Sequence, residues 1–194
     1  METGAAIWFT GLPGSGKSSV ARAVAEALAA EGRPATLLSM DARRKAYFPR
    51  PEYTEAEREK AYRMFAEEAA GLARQGELVF MDATAHRKAW RDHARSLIPR
   101  FAEVQVSCPV SVAMAREAAR PEGLVMAGMY AKAIRRKTTG EAVPGLGEVV
   151  GVDVPFEADP HAECVVDAGV LTVEQARDEV LRFLGNWLPG RGNQ

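Results

Sequence analysis

Eight residues near the start of the chain have the types and spacing of a phosphate-binding loop. The stretch from Gly11 to Ser18 reads G-L-P-G-S-G-K-S and fits the pattern G-x-x-x-x-G-K-[ST]. Glycine allows a tight turn whose N–H groups point inward, because no Cβ blocks the approach of a phosphate. In such loops the lysine reaches the β- and γ-phosphates of ATP and the serine hydroxyl ligates Mg²⁺. The residues predicted to hold the nucleotide are Gly11, Gly14, Ser15, Gly16, Lys17, Ser18 and Ser19.

The segments on both sides of this loop support the same interpretation. Residues 5–10 are apolar and read as a buried strand, whereas residues 19–28 are rich in alanine and leucine and read as a helix. The pattern indicates a phosphate site when it lies between a strand and a helix. The positive end of the helix also favours a bound anion.

Two carboxylates follow other apolar segments that are typical of buried strands. Asp41 comes after residues 35–40, and Asp82 comes after residues 78–81. Because open parallel sheets bind ligands at the C-terminal ends of their strands, we expect both carboxylates beside the phosphate-binding loop. A carboxylate there can hold Mg²⁺ or accept a proton from a substrate hydroxyl. The alternative for Asp41 is structural, since aspartate also caps turns.

The alternation of apolar and helical segments predicts an α/β fold. We expect a three-layer P-loop NTPase domain over residues 1–188, in which a five-stranded parallel sheet has helices on both faces, followed by a tail at 189–194. The predicted strands are 5–10, 35–40, 78–81, 104–108 and 164–167. The predicted helices after the first are 54–75, 87–97, 111–120 and 172–185, with capping by Thr54, Ser111 and Thr172.

Residues 121–148 interrupt this alternation and are predicted to form a lid. The segment is punctuated by glycine and, with the residue before it, contains a basic cluster. Its cations are Arg120, Lys132, Arg135, Arg136 and Lys137. A mobile basic lid can close on phosphates and exclude water from the reaction. The alternative is a solvated helix and loop whose charges face water.

Composition limits the partners of the chain. With 194 residues, 25 Lys and Arg against 26 Asp and Glu, and a net charge of −1, the chain suits one domain and has no basic track for a long nucleic acid. It contains neither a long apolar run nor a basic leader, which favours a cytoplasmic protein without membrane association. The 2 cysteines read as buried thiols, and the 3 histidines do not form a metal-ligand pattern.

Several stretches resemble the adenylylsulfate kinase (APS kinase) family. Residues 151–158 read G-V-D-V-P-F-E-A and are similar to that family's G-I-D-x-P-Y-E-x-P. Residues 163–167 read E-C-V-V-D and resemble its E-L-x-L-D strand. The resemblance implies phosphorylation of adenylyl sulfate (APS) to 3′-phosphoadenylylsulfate, with ATP and Mg²⁺. It also implies a homodimer.

The resemblance assigns roles on the acceptor side. Asp41 and Arg44 match the end of the family's D-G-D-x-x-R, which implies that Asp41 holds Mg²⁺ or takes the 3′-hydroxyl proton and that Arg44 meets the charged end of the substrate. Ser39 stands where the family has the first Asp, so one expected carboxylate is missing. Arg58 and Arg63 match two arginines that contact the sulfate–phosphate anhydride. Their alternative role is pairing with glutamates of the same helix.

The stretch after the third strand departs from the family. Residues 81–87 read M-D-A-T-A-H-R, in which Thr84 and Arg87 match the serine and arginine of its S-P-x-R and Asp82 is additional. The match implies that Thr84 and Arg87 bind substrate. We hypothesise that Asp82 supports Mg²⁺ through water and partly replaces the carboxylate missing at Ser39. The pattern D-A-T-x-x-R also resembles polynucleotide-kinase-like enzymes and their small-molecule relatives.

Four further positions follow from the resemblance. Arg116 matches the arginine that lies over the ATP adenine, and Lys132 matches a lysine that closes on phosphate. Val149 stands where the family stacks a phenylalanine on the APS adenine, and Ala61 stands where it has asparagine. Losing an aromatic ring weakens base binding by about 1–3 kcal/mol.

The leading hypothesis is therefore an ATP-dependent kinase that phosphorylates the 3′-hydroxyl of APS, with Lys17 and Asp41 as catalytic residues and Ser18, Asp41 and Asp82 at the metal. A second hypothesis is a kinase of the same fold acting on another hydroxyl, such as a nucleotide-linked metabolite or a polynucleotide 5′ end. A third is a regulator that senses ATP without phosphoryl transfer.

Overall fold

A computed structural model describes residues 4–119 and 128–189. The strands are β1 (Ala5–Thr10), β2 (Thr36–Ser39), β3 (Leu78–Asp82), β4 (Phe101–Ser107) and β5 (Cys164–Asp167). The helices are α1 (Lys17–Ala30), α2 (Met40–Tyr47), α3 (Glu55–Arg74), α4 (Lys88–Leu97), α5 (Val110–Ala118), α6 (Met129–Thr139) and α7 (Val173–Trp187). Within these ranges, no helix is both long and apolar enough to cross a membrane.

The five strands form one parallel sheet in the order β2-β3-β1-β4-β5, which confirms the predicted fold class. The central strand, β1, is buried along its whole length and leads directly into the glycine-rich loop. Ser39, at the end of β2, pairs in register with Asp82, and Phe9 of β1 pairs with Asp82 from the other side. The C-terminal edge of the sheet therefore brings the loop and both predicted carboxylate positions together.

Successive residues of a strand point to opposite faces of the sheet, and in β1 the side chains on both faces are buried. Helices cover both faces. Trp8 packs edge-on against Phe65 of α3 and Phe101, with ring centroids 5.7 and 6.3 Å away. On the other face, Ile7 and Phe9 belong to the apolar cluster formed with α1 and α7. Two separate cores thus hold β1, and the loop after it, in a fixed position.

Several predicted element boundaries were wrong. Helix α2 was not predicted: the second strand ends at Ser39, and Asp41 lies in the first turn of that helix. Strand β4 starts at Phe101 rather than residue 104. Helix α5 starts at Val110 with Pro109 at its N-cap, so Ser111 is not the cap. Helix α7 continues past Gly185 to residue 187. The predicted caps at Thr54 and Thr172 are confirmed by hydrogen bonds from the backbones of Glu57 and Gln175.

The described part of the predicted lid contains helix α6 rather than only loops. Met129, Tyr130 and Ala133 are buried in a third apolar cluster with Val149. Arg120 and residues 121–127, which begin the predicted lid, lie outside the described residues.

Candidate active site

A cavity of about 160 Å³ lies at the C-terminal edge of the sheet, where the sequence predicted the site. It is bounded by the glycine-rich loop, the ends of β2 and β3, and residues from α2, α3 and α6. The predicted site residues that line it are Gly14, Lys17, Ser18, Asp41, Arg44, Arg58, Asp82 and Thr84. Distant parts of the chain therefore place both acidic and basic groups around one small volume.

The geometry of the loop requires glycine at specific positions. At Gly14, φ is +81° and a Cβ would lie 2.3 Å from the carbonyl oxygen of Ala113, so a side chain has no room. At Gly16, φ is +96°, and within the described residues the only heavy atom near a Cβ is the Arg116 Nη1, at 4.0 Å. Gly16 is also the N-cap of α1, where the helix has no side-chain cap. A helix N-terminus that opens on a glycine turn is a binding site for phosphate.

The oxygen donors suit a magnesium ion. The hydroxyl-bearing Ser18 and the carboxylates of Asp41 and Asp82 all line the cavity. Asp82 is only 9% exposed, and its Oδ1 has no hydrogen-bond partner among the described residues. Within residues 4–119 and 128–189, no group of three or more His, Cys, Asp or Glu side chains is placed so that it could hold a metal ion by itself. Mg²⁺ bound with a nucleotide typically uses one or two carboxylates, waters and phosphate oxygens, so this donor set fits it.

Two arginines face the cavity from the acceptor side. Arg44 is 8% exposed; it pairs with Glu57 at 3.4 Å and lies over the ring of Tyr53, 5.5 Å from its centroid. Arg58 donates a hydrogen bond of 2.6 Å to the carbonyl oxygen of Glu148. Burial lowers the pKa of Arg58. Guanidinium groups held in place by protein partners are suited to bind a charged oxyanion.

The structure does not bring Arg63 and Arg87 to the cavity. Arg63 is exposed and pairs with Glu59 at 3.6 Å, which is the alternative role that the sequence left open. Five residues beyond Arg58, it lies roughly 140° further round the helix, on the solvent side. Arg87 pairs with Glu55 and lies over the ring of Trp90. Neither guanidinium lines the cavity, although Thr84 does.

Two residues of the cavity wall, Tyr62 and His86, were not predicted from the sequence. His86 is 5% exposed, and burial, followed by the nearby positive charges of Arg58 and Arg87, lowers its pKa to about 4. Tyr62 lies one turn after Arg58 and accepts a hydrogen bond of 2.9 Å from the amide of Ala85. Burial raises the pKa of Tyr62. The sequence could have indicated Tyr62, because it lies four residues after Arg58 and so on the same face of the helix. The only indication for His86 was its position shortly after β3.

A second cavity, of about 380 Å³, lies on the other side of the loop. Gly16, Ser19, Arg116 and the start of α7 line it. The guanidinium of Arg116 donates a hydrogen bond of 3.3 Å to the carbonyl oxygen of Ser15. The predicted contact of Arg116 with the ATP adenine stays a prediction.

Helix α6 is fastened to the phosphate loop. The hydroxyl of Tyr130 donates a 2.8 Å hydrogen bond to the carbonyl oxygen of Pro13, and Glu117 accepts one of 2.9 Å from the amide of Met129. Lys132 lies on the exposed side of this helix. Movement of α6 away from the loop would break the hydrogen bonds of Tyr130 and Met129. Closure of this segment as a lid stays a prediction.

Three cations of the predicted lid bind protein groups. Arg136 donates hydrogen bonds of 2.6 Å to the carbonyl oxygen of Leu146 and to Asp153. Lys137 donates to the carbonyl oxygen of Val152, and Arg135 pairs with Glu141. These contacts fix the segment that leads to Val149. Val149 itself is 1% exposed and packs against α6, while Glu148 and Val150 line the cavity.

A buried ion pair contacts the segments next to the site. Arg91 of α4 and Glu103 of β4 are both fully buried, with 2.9 Å between Nε and Oε2. Glu103 also accepts a 2.8 Å hydrogen bond from Thr10, which precedes the phosphate loop. Arg91 donates to the carbonyl oxygens of Ala85 and Glu157. One side chain therefore ties together the loop after β3 and the late segment that suggested the family.

Comparison with known proteins shows the family to which the chain belongs. The model of the family described as adenylylsulphate kinase matches residues 3–167. A probable adenylyl-sulfate kinase of Archaeoglobus fulgidus is 34% identical over 161 residues, 83% of this chain and 94% of that protein. The adenylyl-sulfate kinase of Deinococcus deserti is 31% identical over 94% of this chain and 92% of its own length. The APS kinase of Mycobacterium tuberculosis, solved with AMPPNP and APS, is 27% identical with a TM-score of 0.79, covering 95% of this chain and 99% of that one.

Proposed function

We propose that this chain, which belongs to the adenylylsulphate kinase family, transfers the γ-phosphoryl group of ATP to the 3′-hydroxyl of APS. The product is 3′-phosphoadenylylsulfate. The observation that supports this proposal most is the shared cavity. It joins the phosphate loop to Asp41 and to two arginines held by protein partners, Arg44 and Arg58.

On the donor side, the glycine-rich loop and Lys17 bind the phosphates of ATP, and Arg116 lies beside the base. Ser18, Asp41 and Asp82 would hold Mg²⁺, which when bound offsets the charge of the β- and γ-phosphates. Phosphoryl transfer needs little covalent help from a protein, so positioning and charge stabilisation account for most of the catalysis.

On the acceptor side, Arg44 and Arg58 bind the sulfate–phosphate anhydride of APS. Asp41 accepts the proton of the 3′-hydroxyl as that oxygen attacks phosphorus, because it lines the cavity that the phosphate loop shares with Arg44 and Arg58. Lys132 meets the phosphates only if α6 moves toward them. Arg63 has no role in this proposal, because it faces solvent.

An acceptor panel tests the proposal. Purified protein would be incubated with Mg-ATP and, separately, APS, free nucleotides and 5′-hydroxyl oligonucleotides, with ADP release and product mass measured. We expect turnover with APS that is lost in Lys17→Ala and Asp41→Asn. The matched control Arg135→Met, which removes an exposed cation bound to Glu141, should keep the parent activity.

The other outcomes separate the remaining functions. Turnover with another acceptor only would overturn the assignment of APS and leave the kinase class intact. Tight ATP binding without turnover on any acceptor would favour the ATP-sensing regulator. We extend the proposal to a cytoplasmic location, because the reaction consumes ATP. We also extend it to a homodimer, which analytical ultracentrifugation would test.

A further inference from the structure

We propose that Asp82 supplies the fixed negative charge that holds the divalent cation of the ATP complex, so that the cation site of this chain is built on the end of β3. This inference rests on the proposed function, because it assigns a role to a residue of the same site. It concerns a carboxylate that is additional to the family pattern.

The position of Asp82 is central in the sheet. It is the last residue of β3 and pairs in register with Ser39 on one side and Phe9 on the other. Neighbouring strands lie about 4.8 Å apart, so a side chain at either Ser39 or Asp82 reaches the same part of the cavity. Phe9 lies two residues before Gly11, which places Asp82 next to the strand that carries the phosphate loop. Lys17 and Ser18 line the same cavity.

The burial of Asp82 indicates a missing partner. The residue is 9% exposed, and its Oδ1 has no hydrogen-bond partner among residues 4–119 and 128–189. A buried carboxylate oxygen without a partner is unfavourable, so such oxygens are usually hydrogen-bonded or coordinate metals. A cation that arrives with the nucleotide would provide that partner.

The other carboxylates that line the cavity are less suited to a fixed cation site. Asp41 is exposed on the first turn of α2. Glu117 already accepts a hydrogen bond from the amide of Met129. Glu148 is exposed, and its backbone oxygen is bound to Arg58. Asp82 combines a rigid strand, burial and an unpaired oxygen.

Binding measured without acceptor tests this role directly. Isothermal titration calorimetry would follow binding of the ATP analogue AMPPNP at a series of Mg²⁺ concentrations to the parent and to Asp82→Asn. We expect the Mg²⁺ concentration for half-maximal effect to rise about 10- to 100-fold, the range for losing a carboxylate that supports a bound metal. Binding measured in EDTA should not weaken. Asp92→Asn, which removes an exposed carboxylate of α4, should behave like the parent.

A rescue variant uses the strand register. In the double variant Ser39→Asp with Asp82→Asn, a carboxylate is restored on the neighbouring strand. We expect the Mg²⁺ concentration for half-maximal effect to fall most of the way back to the parent value. The melting temperature in EDTA provides a second readout. Asp82→Asn should melt near the parent temperature, because the asparagine keeps the shape of a side chain whose Oδ1 has no hydrogen-bond partner among the described residues. Mg²⁺ with AMPPNP should stabilise this variant less than the parent.

Each contrary result has a distinct meaning. If the parent itself shows no Mg²⁺-dependent AMPPNP binding, both this inference and the proposed function are overturned. If Asp82→Asn binds Mg²⁺ and AMPPNP like the parent, the role of Asp82 is overturned and the proposed function stands. A large fall in the melting temperature of Asp82→Asn in EDTA would also overturn the role of Asp82, since that result indicates a structural partner for the carboxylate.

Discussion

Replacing Arg91 by methionine should destabilise this protein more than any exposed charge change. Arg91 and Glu103 are both fully buried, 2.9 Å apart, and methionine fills a similar volume without charge. Removing one partner of a buried pair leaves the other charge uncompensated, at a cost of about 3–5 kcal/mol. For a chain of this size that corresponds to a fall in melting temperature of about 6–20 °C, at about 2–4 °C per kcal/mol.

The loss should depend on pH in a defined direction. Burial raises the pKa of Glu103, and Arg91 opposes that rise. Without Arg91 the folded protein retains a proton on Glu103 that the unfolded chain has released. Stability then falls as pH rises above the ordinary glutamate pKa. The deficit of Arg91→Met should therefore be smaller at pH 5 than at pH 8.

Thermal or urea unfolding of matched variants would measure both effects. In Arg91→Met with Glu103→Gln, the charge is gone and the glutamine can still accept the hydrogen bond from Thr10, so much of the loss should be recovered. The control Arg135→Met breaks an exposed pair with Glu141 and should change stability by about 1 kcal/mol or less. A deficit below about 1 kcal/mol, or one that does not vary with pH, would refute the reasoning.

Three further predictions concern the cavity and its loop. Burial lowers the pKa of His86 to about 4, so the folded protein resists a protonation that the unfolded chain accepts at about 6.5. The parent should therefore lose stability as the pH falls from 6.5 to 4, and His86→Gln should lose less, as measured by urea titration. Gly14→Ala should abolish binding of AMPPNP in calorimetry, since its Cβ would meet the oxygen of Ala113 at 2.3 Å. Tyr130→Phe should lower the free energy of unfolding by about 1 kcal/mol through loss of its hydrogen bond to Pro13; an unchanged value would show that this contact contributes nothing.

The sheet and the phosphate loop could be predicted because local rules determine them. Short apolar runs separated by helical segments indicate parallel strands. The loop from Gly11 to Ser18 needs a backbone conformation that few residues other than glycine allow. The place of Asp82 followed from the same rule about strand ends. Helix α2 was missed because the residues before Pro49 and Pro51 were read as one irregular passage.

The remaining errors concern contacts between distant residues. Arg58 and Arg63 looked equivalent in the sequence, and only the packing of α3 decides which one faces the cavity. Arg136 was predicted only as a cation of the lid, and its partners lie 10 to 17 residues away in a segment whose path no local pattern specifies. The same holds for His86, whose burial depends on how α4 packs.

The central claim is that this chain phosphorylates APS at its 3′-hydroxyl. The most direct test is a two-dimensional ¹H–³¹P NMR spectrum of the product formed from Mg-ATP and APS. We expect a new phosphate coupled to the ribose 3′ proton, formed by the parent and absent with Lys17→Ala. A phosphate attached elsewhere, or unchanged APS while another acceptor is consumed, would contradict it.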